Sequence, residues 1–327
     1  MNGSNAFLYG IAFLFTLTLT VFLGRIIIPI LKSRAEQPIY TDGPSWHISK
    51  SGTPTMGGLT FLIAITITLL LCALYKLISG DKIGALSLFI CVVYCVLNAC
   101  IGIIDDLTKL KHKHNAGLTA RAKLIWQLVI SVAFLIARKM LIGDGTTLSL
   151  PFFKIDFGIA YYFLALIILI GITNCANLTD GIDGLASSVA FAIGISLFYY
   201  SYGISENAIF ISCALASGAL GFLAFNLHPA RVFMGDTGSL FLGSLVGALA
   251  FELGSPMIAV ACGGVYVIEG VSVILQVVFF KITQKRLFKM APIHHHLEKC
   301  DWDENRICIA AIILTLIFSS SIMLCAR

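Results

Sequence analysis

The chain has 327 residues, of which 58% are hydrophobic and only 12% charged, and its mean hydropathy is +0.94. Soluble domains carry about 25% charged residues, so this chain has too little polar material to cover a water-soluble core. Soluble globular, disordered, collagen-like and disulfide-scaffold classes are excluded together, which leaves an all-α polytopic membrane protein with 1–327 as one integral-membrane domain. Most of the ten cysteines lie in apolar runs, where a thiol behaves as a small hydrophobe, and no CxxC pair points to zinc or redox chemistry. The net charge of +5 points to anionic partners, and its distribution says more than its size.

A helix crossing a hydrocarbon core of ~30 Å needs about 20 mostly apolar residues. In chain order, such stretches run near 7–31, 57–78, 83–104, 124–142, 158–177, 185–204, 207–226, 239–254, 257–280 and 307–326. Met1 to Ala6 lacks the basic region of a cleavable signal, and the first stretch is long enough to span. About ten transmembrane helices are therefore expected, with Gly254, Ser255 and Pro256 turning the chain between the eighth and ninth. An even count puts both termini on one side. Most of the 22 Lys and Arg residues follow odd-numbered spans, so those loops are expected to face the cytoplasm and both termini the exterior. All seven histidines and most of the 17 acids fall on the same cytoplasmic face. A transporter would tend to carry ionisable groups through the membrane depth, whereas here Glu269 alone sits well inside a span and Glu252 lies near an outer end. No internal repeat, nucleic-acid motif or interdomain linker is visible.

Five polar clusters occupy the cytoplasmic face. KSGTPTMGG, from Lys50 to Gly58, offers Lys50, Thr55 and backbone amides to phosphate, although it lacks the GxxxxGK[ST] spacing of a P-loop. IGIIDDLTKLKHKH places Asp105 and Asp106 side by side at the end of the third span. Adjacent carboxylates at a membrane boundary are costly without a compensating cation, and oxygen-rich sites suit Mg²⁺ or Mn²⁺. Lys109, four residues on, shares a helix face with Asp105 and can pair with it or bind phosphate. A solvated helix end would carry the same letters.

NCANLTDGIDGLA, from Asn174 to Ala186, interrupts two apolar spans with Asn177, Asp180 and Asp183, and Gly184 lets a ligand approach the backbone. An ordinary polar turn uses the same residue types. In FNLHPARVFMGDTGSLFLG, Asp236 opens the eighth span, where free N–H groups suit phosphate and an acid serves equally as an N-cap. Phe233 is available for stacking on a base or for anchoring at the interface. In MAPIHHHLEK, His294, His295 and His296 cannot all face one metal from a helix, so hydrogen bonding to phosphate by one or two of them is the expected use. GxGxxG, HExxH and GxSxG are absent, which removes dehydrogenase, zincin and serine-hydrolase readings. The inventory suits metal-assisted transfer of a phosphoryl-type group.

The strings DDLTK, NLTDGIDGLA and FNLHPARVFMGDTGS resemble the polyprenyl-phosphate N-acetylhexosamine-1-phosphate transferase superfamily. GTPTMGG and APIHHHLE favour its phospho-N-acetylmuramoyl-pentapeptide transferase branch, and the likeness runs in order from about Thr41 to Lys299. This resemblance implies a bacterial cytoplasmic-membrane enzyme that converts UDP-MurNAc-pentapeptide and undecaprenyl phosphate into lipid I and UMP with Mg²⁺. It implies Asp236 as a Mg²⁺ ligand, with Asp105 and Asp106 as the catalytic and metal-associated pair. Asp105 would deprotonate the lipid phosphate in a one-step scheme, and an aspartate would be a covalent nucleophile in a two-step one. Asn177, Asp180, Asp183, Asn226 and Phe233 resemble the nucleoside pocket, with Lys50, Lys123 and Gln276 lining the same cleft and the three histidines holding phosphate or sugar-peptide. A polyprenyl groove beside a kinked ninth span, a homodimer and inhibition by nucleoside antibiotics follow from the same likeness. The nearest alternative is a sister enzyme that moves GlcNAc-1-phosphate, with which the aspartates are shared.

Overall fold

A computed structural model describes residues 3–33, 52–112, 117–150 and 153–325. The helices are α1 (Gly3–Lys32), α2 (Leu59–Ile78), α3 (Lys82–His112), α4 (Ala120–Ala137), α5 (Ala160–Thr179) and α6 (Leu185–Ser201). They are followed by α7 (Glu206–Asn226), α8 (Gly235–Glu252), α9 (Met257–Cys262), α10 (Gly264–Thr283), α11 (Ile293–Glu298) and α12 (Glu304–Cys325). Among the described residues, eight helices are long and apolar enough to cross a membrane, so this is a multi-pass membrane protein. The apolar helix α6 has 17 residues and falls short of that length, and α8 opens on Gly-Asp-Thr-Gly-Ser and closes on Glu252.

The expected kink in the ninth span falls at Gly263, which divides the apolar run at 257–280 into α9 and α10, and Gly270 of α10 packs directly against Cys175 of α5. Glu269 lies inside the α10 span, abreast of the last turns of α5. A short hairpin accompanies the helices. A π-helical turn at Arg138–Ile142 ends α4, and strands β1 (Thr147–Leu150) and β2 (Phe153–Asp156) pair antiparallel, with Thr147 opposite Asp156. The Thr146 hydroxyl and the Gly158 amide both donate to Asp156, which closes this hairpin.

Helix α8 is the centre of the molecule. Every residue from Thr237 to Phe251 is buried, because α2, α3, α5, α6, α7 and α9 surround it. Water cannot drive helix association inside a bilayer, so close backbone approach at small residues matters. Gly58 at the start of α2 lies against the Gly238 backbone, Gly102 of α3 against Asp236, and Gly243 against Thr173 of α5. A side chain at any of these would have to displace backbone.

The end of the bundle that carries the β-hairpin is held by ion pairs on two buried cations, Arg138 and Lys76. Arg138 donates to Glu252 Oε1 at 2.5 Å, Asp144 Oδ2 at 2.7 Å, the Ser87 hydroxyl at 2.6 Å and the Phe251 carbonyl at 3.3 Å. Lys76 bridges Asp81 and Glu206, each at 2.8 Å. Removing one partner of a buried pair leaves an uncompensated charge and costs about 3–5 kcal/mol. Arg138→Met should therefore lower thermal stability in detergent markedly, and adding Glu252→Gln should recover part of the loss. A double variant no more stable than the single one would show that the pair is not coupled.

Candidate active site

At the opposite end of the bundle, three chain segments meet. Asp106, in the last turns of α3, accepts hydrogen bonds from the backbone of Asp236 at 3.1 Å, the backbone of Thr237 at 2.9 Å and the Thr237 hydroxyl at 2.7 Å. This carboxylate caps the start of α8, whose N–H groups would otherwise be buried without partners. The expectation that this helix start lies open to phosphate is corrected accordingly: α3 already supplies its anion. Gly235 precedes the cap at φ +72, a left-handed conformation, and its α-carbon faces Asp106 and the Thr55 hydroxyl.

The cap aligns the other two carboxylates. Oxygens of Asp105, Asp106 and Asp236 lie within 4.8 Å of one another. Lys109 pairs with Asp105 at 2.7 Å and Asp236 at 3.4 Å, and Lys123, from α4, pairs with the same two at 2.9 and 2.5 Å. The Leu118 amide donates to Asp105 at 2.6 Å, and Asn177 Nδ2 donates to Asp236 at 3.1 Å and to the Ser239 hydroxyl at 2.8 Å. Three oxygen donors with no soft ligand among them fit a hard divalent cation. Both Asp106 oxygens bind α8, whereas the oxygens of Asp105 and Asp236 are shared among the two lysines, the Leu118 amide and Asn177.

The segment between α5 and α6 forms the next wall. Burial, together with Asp236, Asp106 and Asp183, pushes the Asp180 carboxyl well above the usual carboxylate range. Asp183 is held from three sides: its carboxylate accepts from the Ala230 amide at 3.0 Å and meets His228 Nδ1 at 3.0 Å, and its own amide donates to Glu304 Oε2 at 2.7 Å. Asp183, His228 and Glu304 form a second group with metal-capable spacing, in which His228 lies between the two acids. Gly184 has φ +79 and starts α6.

Part of the GTPTMGG string acts as a brace. The Gly57 and Gly58 amides donate to the Phe233 and Met234 carbonyls at 2.8 and 3.0 Å, and the Phe233 amide donates to Pro54 O at 2.8 Å. Met56, at φ 67, holds the turn that aims those amides. Thr55 is buried beside Gly235, and Phe233 is half-buried at the rim. Asn226 turns inward: it donates to the Val232 carbonyl at 3.0 Å and accepts from Ser187 at 3.2 Å, fixing the shape of the loop. Gln276 likewise accepts from the Leu287 and Phe288 amides at 3.1 and 2.9 Å, folding the chain after α10 back along that helix. Lys50 lies outside the described residues.

The three histidines diverge. His295 pairs with Glu298 at 2.6 Å, and His296 Nδ1 accepts from the Lys289 amide at 3.1 Å. Only His294 is fully buried, against Glu269 and Gly181. Residue types alone did not reveal His228, Glu304 or Thr237 as parts of this end of the molecule. Glu269 was visible as an acid inside an apolar run, a signal of engagement with no partner named.

Comparison with known proteins decides the family. The glycosyl transferase family 4 model matches residues 85–254, and phospho-N-acetylmuramoyl-pentapeptide-transferase signature 1 matches residues 50–62. The chain is 43% identical over 323 residues to a phospho-N-acetylmuramoyl-pentapeptide-transferase of Clostridium botulinum, covering 96% of this chain and 93% of that one. A protein of the same name from Clostridium acetobutylicum is 40% identical over 312 residues, with 94% of each chain covered. One from Clostridium perfringens is 44% identical over 302 residues, covering 90% of this chain and 92% of its own. The chain belongs to the phospho-N-acetylmuramoyl-pentapeptide-transferase family. Its matched segments carry the three aspartates, Asn177, Asp180, Asp183 and Phe233, so the geometry described above lies in the shared part of the chain.

The aspartates should separate by experiment. Asp106→Ala deletes the α8 cap and should destabilise the metal-free protein by about 2 kcal/mol. Asp236→Ala leaves that cap in place and removes a partner of Lys109 and Lys123, both of which still pair with Asp105, so it should lower the thermal midpoint in detergent by less than Asp106→Ala does. Equal midpoints for the two variants would show that the cap carries no special weight.

Proposed function

We propose that the chain transfers phospho-MurNAc-pentapeptide from UDP-MurNAc-pentapeptide to undecaprenyl phosphate, giving lipid I and UMP for peptidoglycan synthesis. The single observation that carries this reading is family membership over almost the whole chain, and the three matched aspartates converge on one another. An oxygen of the lipid phosphate attacks the β-phosphorus of the UDP-sugar, the bond from that phosphorus to its bridging oxygen breaks, and UMP leaves. Asp236, Asp105 and Asp106 would hold Mg²⁺, which neutralises charge on the reacting phosphates.

The protein's own groups do the rest. Lys109 and Lys123 face the phosphates as fixed cations, Asn177 orients Asp236, and Phe233 stacks on uracil beside Asp180 and Asp183. Asn226 and Gln276 act one step back, shaping the loops that carry these residues, and His294 meets the phosphate–sugar end. Ten helices, counting α6 and α8, would span the bacterial cytoplasmic membrane with both termini outside, as the basic loops imply. The same reading carries a homodimer, and a uridine site open to nucleoside antibiotics.

Purified protein with undecaprenyl phosphate and Mg²⁺ should release UMP from UDP-MurNAc-pentapeptide and not from UDP-GlcNAc, and EDTA should abolish release. Release from UDP-GlcNAc alone would move the chain to the sister activity. Phe233→Ala should weaken inhibition by uridine nucleosides by about tenfold, in line with roughly 1–3 kcal/mol for a stacked base, with little change in affinity for the lipid. Equal losses for both ligands would remove the stacking role.

A further inference from the structure

Glu269 is buried in α10, where an ionised side chain is costly unless its charge is engaged. Its engagement is specific: Oε2 accepts the backbone N–H of His294 at 3.3 Å and lies 3.1 Å from that residue's ring Nδ1. An Nδ1–H would be the donor that suits this carboxylate acceptor, and Nε2 would then be the ring position left over. Nε2 is buried and has no hydrogen-bond partner among the described residues, and it points at Gly181, where a Cβ would fall on it. Gly181 sits between Asp180 and Asp183, four residues beyond Asn177, which holds Asp236.

The surroundings are built to keep that arrangement. The Ser272 hydroxyl donates to the Glu269 carbonyl at 2.7 Å, and the Tyr266 hydroxyl, one turn before Glu269, donates to the Ala186 carbonyl at 2.7 Å. The Tyr266 contact ties α10 to the start of α6. The neighbouring histidines are committed elsewhere, to Glu298 and to the Lys289 amide. A buried polar atom without a partner costs about 1–3 kcal/mol, and a native protein that keeps one in a substrate-facing loop commonly has a use for it.

We propose that Glu269 is a positioning residue for the transfer, fixing His294 in the Nδ1–H tautomer and aiming Nε2 at the substrate held by the 180–184 loop. This rests on the reading of His294 as a substrate-facing group. Nε2 takes a hydrogen bond or a proton from the substrate, and the carboxylate behind the ring compensates the charge of the imidazolium so formed. Glu269 itself touches no reacting atom.

The test uses the full chain in detergent with undecaprenyl phosphate, Mg²⁺ and UDP-MurNAc-pentapeptide. Glu269→Gln keeps the shape and removes the charge. It should lower kcat by roughly 10²-fold while the KM for the nucleotide substrate and the thermal midpoint stay near wild type. Glu269→Asp should restore part of kcat, and Gly181→Ala, whose methyl displaces the ring, should lower it as Glu269→Gln does. Independently of turnover, nitrogen NMR of histidine-labelled wild type, with His294 assigned through its Gln variant, should show hydrogen on Nδ1 and none on Nε2 of the neutral ring. Wild-type kcat in Glu269→Gln, or hydrogen on Nε2 of the neutral ring, overturns the proposal, including where a variant fails to fold. An inactive wild type that shows the expected tautomer would instead count against the proposed reaction and leave the Glu269–His294 arrangement standing.

Discussion

The arrangement of this end of the molecule depends on one constraint: α8 is buried along its length, so the N–H groups that open it must find partners inside the protein. Asp106 meets that need from a different helix, accepting from the backbone of two successive residues and from one hydroxyl. The consequence reaches beyond the cap. Once the end of α3 is fastened to the start of α8, the residue before Asp106 and the residue at the start of α8 become neighbours. Asp105 and Asp236 then share a space they could not share by sequence proximity. The close approach of Gly58 to Gly238 and of Gly102 to Asp236 is the packing side of the same constraint, since a larger residue at either position would hold the helices apart.

Like charges so confined repel strongly at a membrane boundary, where little water screens them. The protein answers with Lys109, one helical turn from Asp105, and with Lys123 from the next helix. Two ammonium groups against three carboxylates leave the cluster short of positive charge. A divalent cation would more than cover that deficit, and the excess would be met as an anionic substrate arrives. Charge compensation thus links the stability of the site to its chemistry, and neither can be altered without the other.

Hydropathy made the apolar helices legible, because a span is a local property of about 20 residues. The motifs were legible for the same reason: DD, NLTDGIDG, GDTGS and HHH are short strings whose composition alone breaks an apolar run. What stayed hidden is long-range. Asp106 meets Thr237 across 131 positions and Asp183 meets Glu304 across 121, and no periodicity encodes either pair. GTPTMGG looked like a phosphate binder because Gly and Thr amides suit phosphate, yet tertiary packing had already given two of those amides to the Phe233 and Met234 carbonyls.

The histidine run shows how a three-letter motif divides its work. Neighbouring side chains on a helix point about 100° apart, so a consecutive triplet cannot converge on one ligand, but it can grip in three directions. His295 holds Glu298 within its own short helix, and His296 takes the Lys289 amide from the preceding turn. Both fix a segment of six helical residues that could not hold its place by propensity alone. Gln276 adds a third anchor by tying the 287–288 backbone to α10. With the segment fixed in this way, the inward residue of the triplet reaches a carboxylate on α10 and a glycine between two aspartates, which is a placement that a flexible loop could not maintain. Two of the histidines are thus the means by which the third is held, and substitutions at any of the three would disturb one centre for different physical reasons.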